Sequence, residues 1–252
     1  MCINTDILEY AGLPRYLSKS EIFMDWICAL SYASQKKLWA CNDKIVQKSA
    51  KQFADMNLLE NLTPAILAYD GIQYTTMSPD VFEKRHITYI QQHLNILSGF
   101  YGVLRPMDGV VPYRLGMQAR AAVPGYSNLY DFWGDSLYRA VLDESRIIIN
   151  LASVEYARCV EKYLKPEDRF ITCIFGELEN GQVIQKGVYA KMARGEMVRY
   201  MAETEAERPE QLKDFERSGY HFDASRSTET EYVFIRTEVP GKRKHTEEAD
   251  ET

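Results

Sequence analysis

Between Ile96 and Tyr126 the chain reads ILSGFYGVLRPMDGVVPYRLGMQARAAVPGY, with glycines at 99, 102, 109, 116 and 125 and prolines at 106, 112 and 124. Proline removes a backbone donor and glycine weakens regular elements, so neither a long helix nor a central strand runs through this stretch. It splits the chain into two flanks that must each build their own regular structure. The stretch itself is predicted to be mostly loop. A loop this long inside a compact domain is uncommon and usually functional, because backbone that is not committed to ladders can reach ligands.

On the N-terminal flank, residues 13 to 55 read as helical, with Ile22, Phe23, Trp26, Ile27 and Leu30 at three-to-four spacing behind Ser18 or Ser20. PAILAY at 64–69 reads as a short buried strand closed by Asp70-Gly71, and Ser78-Pro79 opens a helix with Phe82, Ile90, Leu94 and Leu97 on one face. On the other flank YDFWGDSLYRAVLD and VEYARCVEKYL read as helices around an apolar strand, RIIINLAS. FITCIFGELENGQVIQKGVY predicts a hairpin turning at Asn180-Gly181, followed by the helix AKMARGEMVRYMAE, a shorter helix PEQLKDF and two strands, YHFDAS and EYVFIR. Irregular alternation with antiparallel hairpins predicts the α+β class: one compact domain over 1–236, with a mixed, largely hairpin-containing sheet flanked by helices. Residues 237–252 carry mixed charge and almost no apolar content, and are expected to form a disordered tail.

A formal charge of -6 makes the molecule repel polyanions at long range, so any nucleic-acid binding must be local. No apolar run approaches bilayer length and the N-terminus lacks the pattern of a secretory signal, which points to the cytoplasm. Five cysteines, odd in number and without a CxxC pair, argue for reduced thiols rather than a disulfide framework or a zinc knuckle. Seventeen tyrosines suit a mixed core with polar seams, or a wet cleft.

No GxSxG, Walker loop, HExxH or dinucleotide fingerprint is present, and neither a cofactor nor a metal site is expected. His86 and His93 lie two turns apart on one predicted helix, too far to share a metal. The informative pattern is basic. Arg105, Arg114 and Arg120 fall in the Gly/Pro stretch, and Lys186, Lys191, Arg194 and Arg199 where the hairpin hands over to a helix. Both groups could line one anionic site, since the guanidinium fork matches phosphate geometry; solvated surface charge is the plain alternative. LSGFYGVL, with Gly99 and Gly102 three apart, is a loose match to a helix-hairpin-helix module that presents amides to DNA phosphates.

Longer phrases carry more. HLNILSGFYGVLRPMDGVVPYRLGMQ, LYDFWGD, INLASVEY, YAKMARGEMVRYM, SGYHFD and EYVFIR occur in this order, and over residues 60 to 236 the chain resembles the YaaA-type peroxide-stress family. The resemblance implies a compact mixed architecture with a positively charged cleft and a helix-hairpin-helix-like element. It further implies roles in peroxide resistance, in lowering free intracellular iron and in binding duplex and branched DNA. By position it carries over Arg105 and Arg114 in the loop, Tyr130 to Asp135, and Lys191, Arg194 and Gly195 as the Lys-x-x-Arg-Gly phrase. Family sequences usually open with an apolar strand leading into Ser-Pro-Ala-Lys, whereas MCINTDILEYAGLP resembles what normally follows. That first strand and its lysine are therefore expected to be absent, leaving an unpaired sheet edge or a groove.

Two functions compete at this level. In the first, Arg105, Arg114, Lys191 and Arg194, with the backbone of Gly99, Gly102 and Gly195, hold DNA phosphates and no bond is broken. In the second, an enzyme acts on a phosphorylated or otherwise anionic small molecule in the same cleft, with Asp131, Asp135 or Glu155 as acid-base groups.

Overall fold

The computed structural model describes residues 1–3 and 8–237. The N-terminal flank is helical as its spacing requires: α1 (Leu17–Ala29), α2 (Tyr32–Trp39) and α3 (Asp43–Ala54) bury Phe23, Ile27, Leu38, Val46 and Phe53. Ser31 and Asn42 cap α2 and α3, each side chain accepting an amide of the first turn. PAILAY is not a strand. Only Thr63–Pro64 pairs (β1), and Ala65–Ala68 close into one helical turn, α4, whose four residues are all buried. An apolar run this short is equally compatible with either state, and packing decides. After α5 (Ile72–Met77), Pro79 begins only a 3₁₀ turn over Pro79–Val81, and the helix proper, α6, spans Lys84–His93.

The Gly/Pro stretch departs most from expectation. It is irregular but largely buried: Ile96, Phe100, Tyr101, Val103, Leu104, Met107, Val110, Leu115, Met117 and Val123 all belong to the larger core. Ile96–Ser98 (β2) and Gly102–Leu104 (β3) form a hairpin, and Gly109–Val110 (β4) pairs with β1. No helix follows until α7 (Leu129–Trp133), so LSGFYGVL is a β-hairpin rather than the hairpin of a helix-hairpin-helix. Its glycines are there because two backbones or a ring come too close for a Cβ. One added at Gly99 would lie 2.8 Å from the Leu115 carbonyl oxygen, and one at Gly102, where φ is +77°, would lie 2.7 Å from the Trp133 ring.

Beyond α7 and α8 (Ser136–Val141) comes the main sheet. β5 (Ile147–Asn150) leads through α9 (Val154–Glu161) to the long strand β6 (Arg169–Glu179), which turns at Asn180-Gly181 into β7 (Gln182–Ile184). Both turn residues have positive φ, 52° and 80°, the geometry that Asn-Gly favours. α10 (Gly187–Thr204) covers one face, and β8 (Tyr220–Phe222) and β9 (Glu231–Arg236) complete the sheet in the order β5-β6-β9-β8, with β7 on β6. β5, β6 and β9 run parallel; β7 and β8 are antiparallel to their neighbours. The sheet is therefore mixed with a parallel centre, and among the described residues β5 pairs with β6 alone.

Ile171, Cys173 and Phe175 alternate toward α10 with Tyr232 and Phe234 beside them, forming a second, smaller core. Leu151 and Met201 pack against both cores and join them into one body. The residues beyond Thr237, expected to form a disordered tail, lie outside the described residues.

Candidate functional site

The basic phrase of α10 is positioned by a collision that only glycine avoids. A Cβ on Gly195 would fall 2.2 Å from the carbonyl oxygen of Gln73, so α10 and α5 cross there in direct backbone contact. Ala190, Ala193 and Met197 face the sheet and are buried. Arg194, next in sequence to Gly195, is half-buried. Its Nε is buried without a hydrogen-bond partner, and among the described residues no carboxylate pairs with its guanidinium. Burial lowers its pKa, and the group that acts back on it is the thiol of Cys173 on β6. Lys191, one turn earlier, is exposed and has no ion-pair partner among the described residues.

Its cationic neighbours are already neutralised. Lys186 donates to Glu177 at 2.6 Å and lies 2.9 Å from Glu179. Arg236, itself buried, pairs with the same Glu177 and lies 3.6 Å from the centre of the Tyr189 ring. Arg199 binds Glu203 at 2.7 Å, and Arg217 approaches Glu203 at 2.5 Å and Glu196 at 3.9 Å. Around α10, then, Lys191 and Arg194 are the cations without acidic partners among the described residues.

Loop arginines behave differently. Arg105 donates through Nη1 to the carbonyls of Gln92 (3.1 Å) and Gln91 (3.4 Å), placing its charge at the C-terminal end of α6 where the helix dipole favours a cation. Arg114 is exposed; its carbonyl accepts the indole N–H of Trp39 at 2.7 Å, while its side chain makes no hydrogen bond or ion pair with any of the described residues. No hydrogen bond, ion pair or ring contact joins Arg105 or Arg114 to Lys191 or Arg194. Gly99 and Gly102 are both buried, and the Gly99 carbonyl accepts the Trp133 indole N–H at 3.1 Å.

Each of the three carboxylates singled out as acid-base groups has a partner within the chain. Asp131 accepts the amide and hydroxyl of Ser127, each at 3.0 Å, and these bonds hold its carboxyl below the ordinary value. Asp135 pairs with Arg139 at 2.6 Å, and Glu155 accepts the amide of Gln118 at 3.0 Å. No contact joins the three to one another. The thiols of Cys159 and Cys173 are pushed up to about 12, chiefly by burial, which leaves them protonated and poorly nucleophilic at neutral pH. No group of three or more His, Cys, Asp or Glu is placed to hold a metal among the described residues. None of the described helices is long and apolar enough to cross a membrane.

Known proteins extend this picture. A family model described as "Peroxide stress protein YaaA" matches residues 4–226. A protein named "UPF0246 protein" from Agathobacter rectalis is 51% identical over 236 residues, covering 94% of this chain and 95% of its own. Similar proteins occur in Lachnoclostridium phytofermentans, at 46% identity over 94% of this chain and 93% of the relative, and in Limosilactobacillus reuteri, at 46% over 93% and 94%.

Proposed function

The chain belongs to the peroxide stress protein YaaA family, and from that premise we propose that it limits peroxide damage in the cytoplasm by binding a phosphate-bearing ligand at the Lys191–Arg194 face of α10. One observation carries this reading: Arg194 is half-buried, its Nε without a hydrogen-bond partner and its guanidinium without an acidic partner among the described residues. A buried cation without a counter-ion is costly, and a ligand anion would offset that cost while taking advantage of the guanidinium fork. Lys191, exposed one turn away, would meet the same phosphate from the solvent side.

DNA is the first source of that phosphate, with exposed Arg114 and Lys191 adding backbone contacts. Binding DNA would shield it from iron-driven oxidation, which is how the iron link of the family enters this reading. The depth of Arg194 favours a second source, a small phosphorylated molecule that enters the site, because a duplex backbone contacts mainly exposed cations.

Duplex DNA, branched DNA and a nucleoside monophosphate, each titrated at two salt concentrations against the parent and Arg194→Ala, separate these sources. For DNA, the variant should bind all sequences more weakly and lose about one unit of salt slope per lost phosphate contact. For the small molecule, Arg194→Ala abolishes nucleotide binding and leaves DNA unaffected. Equal binding of all three ligands by parent and variant sinks the proposal. Arg194→Lys should rescue only in part, since the fork is gone.

A further inference from the structure

A cavity of about 450 Å³ opens at the N-terminal ends of β6 and β9, a volume ordinary for a small-molecule site. Phe222, Ala224, Ser227 and Thr228, from the end of β8 and the connection to β9, form one side of it. That connection is a built wall. Ser227 Oγ donates to the Asp223 carbonyl at 2.7 Å and accepts the Val233 amide at 2.9 Å, which ties the end of β8 to β9. Thr228 Oγ1 accepts the amides of Thr230 (3.2 Å) and Glu231 (3.0 Å), and Asp223 pairs with Arg226 at 2.7 Å.

The charged side chains lining the cavity are Arg169, Lys213 and Glu229. Arg169 is matched: it lies 3.4 Å from Glu210 and donates to the Tyr232 hydroxyl at 3.3 Å. Lys213, on the 3₁₀ turn Pro209–Asp214, places its Nζ 5.2 Å from the centre of the Tyr232 ring and 5.5 Å from that of Phe222. Glu210 feels Lys213 electrostatically, but its ion pair is with Arg169. Lys213 and Glu229 are exposed, and neither has an ion-pair partner among the described residues. One unmatched charge of each sign thus shares a cavity with the half-buried ring of Phe222.

We propose that this cavity binds a free α-amino acid with an apolar side chain, its carboxylate on Lys213, its ammonium on Glu229 and its side chain against Phe222 and Ala224. A zwitterion carries both charges on one short frame, so neither lining charge is left unmatched; a plain anion would meet Glu229, and a plain amine Lys213, with like charge. The two rings shield one side of the Lys213 ammonium from water, which strengthens its attraction for a carboxylate on the other. None of the lining residues belongs to α10, so this site is separate from the phosphate site and does not rest on it.

Calorimetric titration of the full chain with leucine and phenylalanine, beside N-acetyl-leucine and leucinamide, tests this. Saturable binding of both amino acids is expected, with each derivative about tenfold weaker because it lacks one of the two charges. Lys213→Gln and Glu229→Gln, both at exposed positions, should leave the melting curve unchanged and weaken leucine about tenfold. Glu229→Gln should also stop discriminating against N-acetyl-leucine, and Lys213→Gln against leucinamide, which a merely structural role would not produce. Arg194→Ala should bind leucine like the parent. Absence of saturation with either amino acid, derivatives as tight as leucine, or both lining variants binding like the parent each overturns the proposal.

Discussion

The sheet half of the molecule and the Gly/Pro half solve the same problem in opposite ways. In the sheet, Ile171, Cys173 and Phe175 bury alternate side chains while the ladder satisfies the backbone. In the Gly/Pro half regular ladders are short, and backbone is buried by letting rings and carbonyls sit where a Cβ would be. Trp133 lies against Gly102 and the Leu115 carbonyl against Gly99. Gly181 thus marks an open turn and Gly102 a packed contact, and the two uses can be told apart only by what surrounds the residue.

The sharpest way to break that contrast is to add one methyl group to each half. Gly102 and Gly181 have nearly the same backbone, φ +77° and +80°, yet the first faces the Trp133 ring at 2.7 Å and the second has nothing within 4 Å. Gly102→Ala should cost left-handed strain of about 1–2 kcal/mol and an overpacking penalty of about 1–3 kcal/mol, the largest loss predicted here. Gly181→Ala should cost the strain alone, about 1–2 kcal/mol. Urea unfolding of both variants measures the difference; equal losses would show that backbone strain, not packing, sets the cost in the core.

A smaller, pH-dependent effect is expected where the halves are fastened together. The Asp168 side chain is fully buried, beside Arg146 and the hydroxyl of Tyr138 on α8. Burial pushes its carboxyl up, but the Lys165 amide, Tyr138 and Arg146 outweigh that and hold it below its ordinary value. A depressed folded pKa adds stability that is full above the unfolded value of about 3.9 and is lost as pH falls through the folded one. Melting temperature followed from pH 7 downward should drop less steeply on the acid side for Asp168→Asn than for the parent. Parallel curves would remove Asp168 from the acid response.

The same contrast explains what was legible in the sequence. Asn180-Gly181 declared its hairpin because the turn is a local event, and Ile147–Asn150 and Glu231–Arg236 declared strands because their apolar runs feed one sheet. Ala65–Ala68 did not declare a helix, since four apolar residues carry no usable period. The glycines at 99, 102 and 109 read as exposed loop because their partners, Leu115, Trp133 and Tyr10, are distant in sequence. At the α10 site the Lys-x-x-Arg-Gly spacing was visible, but the solitude of Arg194 was not: it follows from Glu177, Glu196 and Glu203 pairing with other cations.

The place of β9 also bears on how the chain assembles as it leaves the ribosome. β9 is an interior strand, seated between β6 and β8, although it is the last of the described strands in sequence. β5, β6 and β7 can pair as soon as residue 184 has emerged, whereas β8 has no neighbour among the described strands until residues 231–236 arrive. For that interval the backbone of 172–176 on β6 stays open, next to the apolar side chains of Ile171, Cys173 and Phe175. Parallel pairings across such sequence distances form slowly, and an open apolar edge is the surface that chaperones capture and other nascent chains join. Vectorial synthesis thus leaves this sheet unfinished until its interior strand is made.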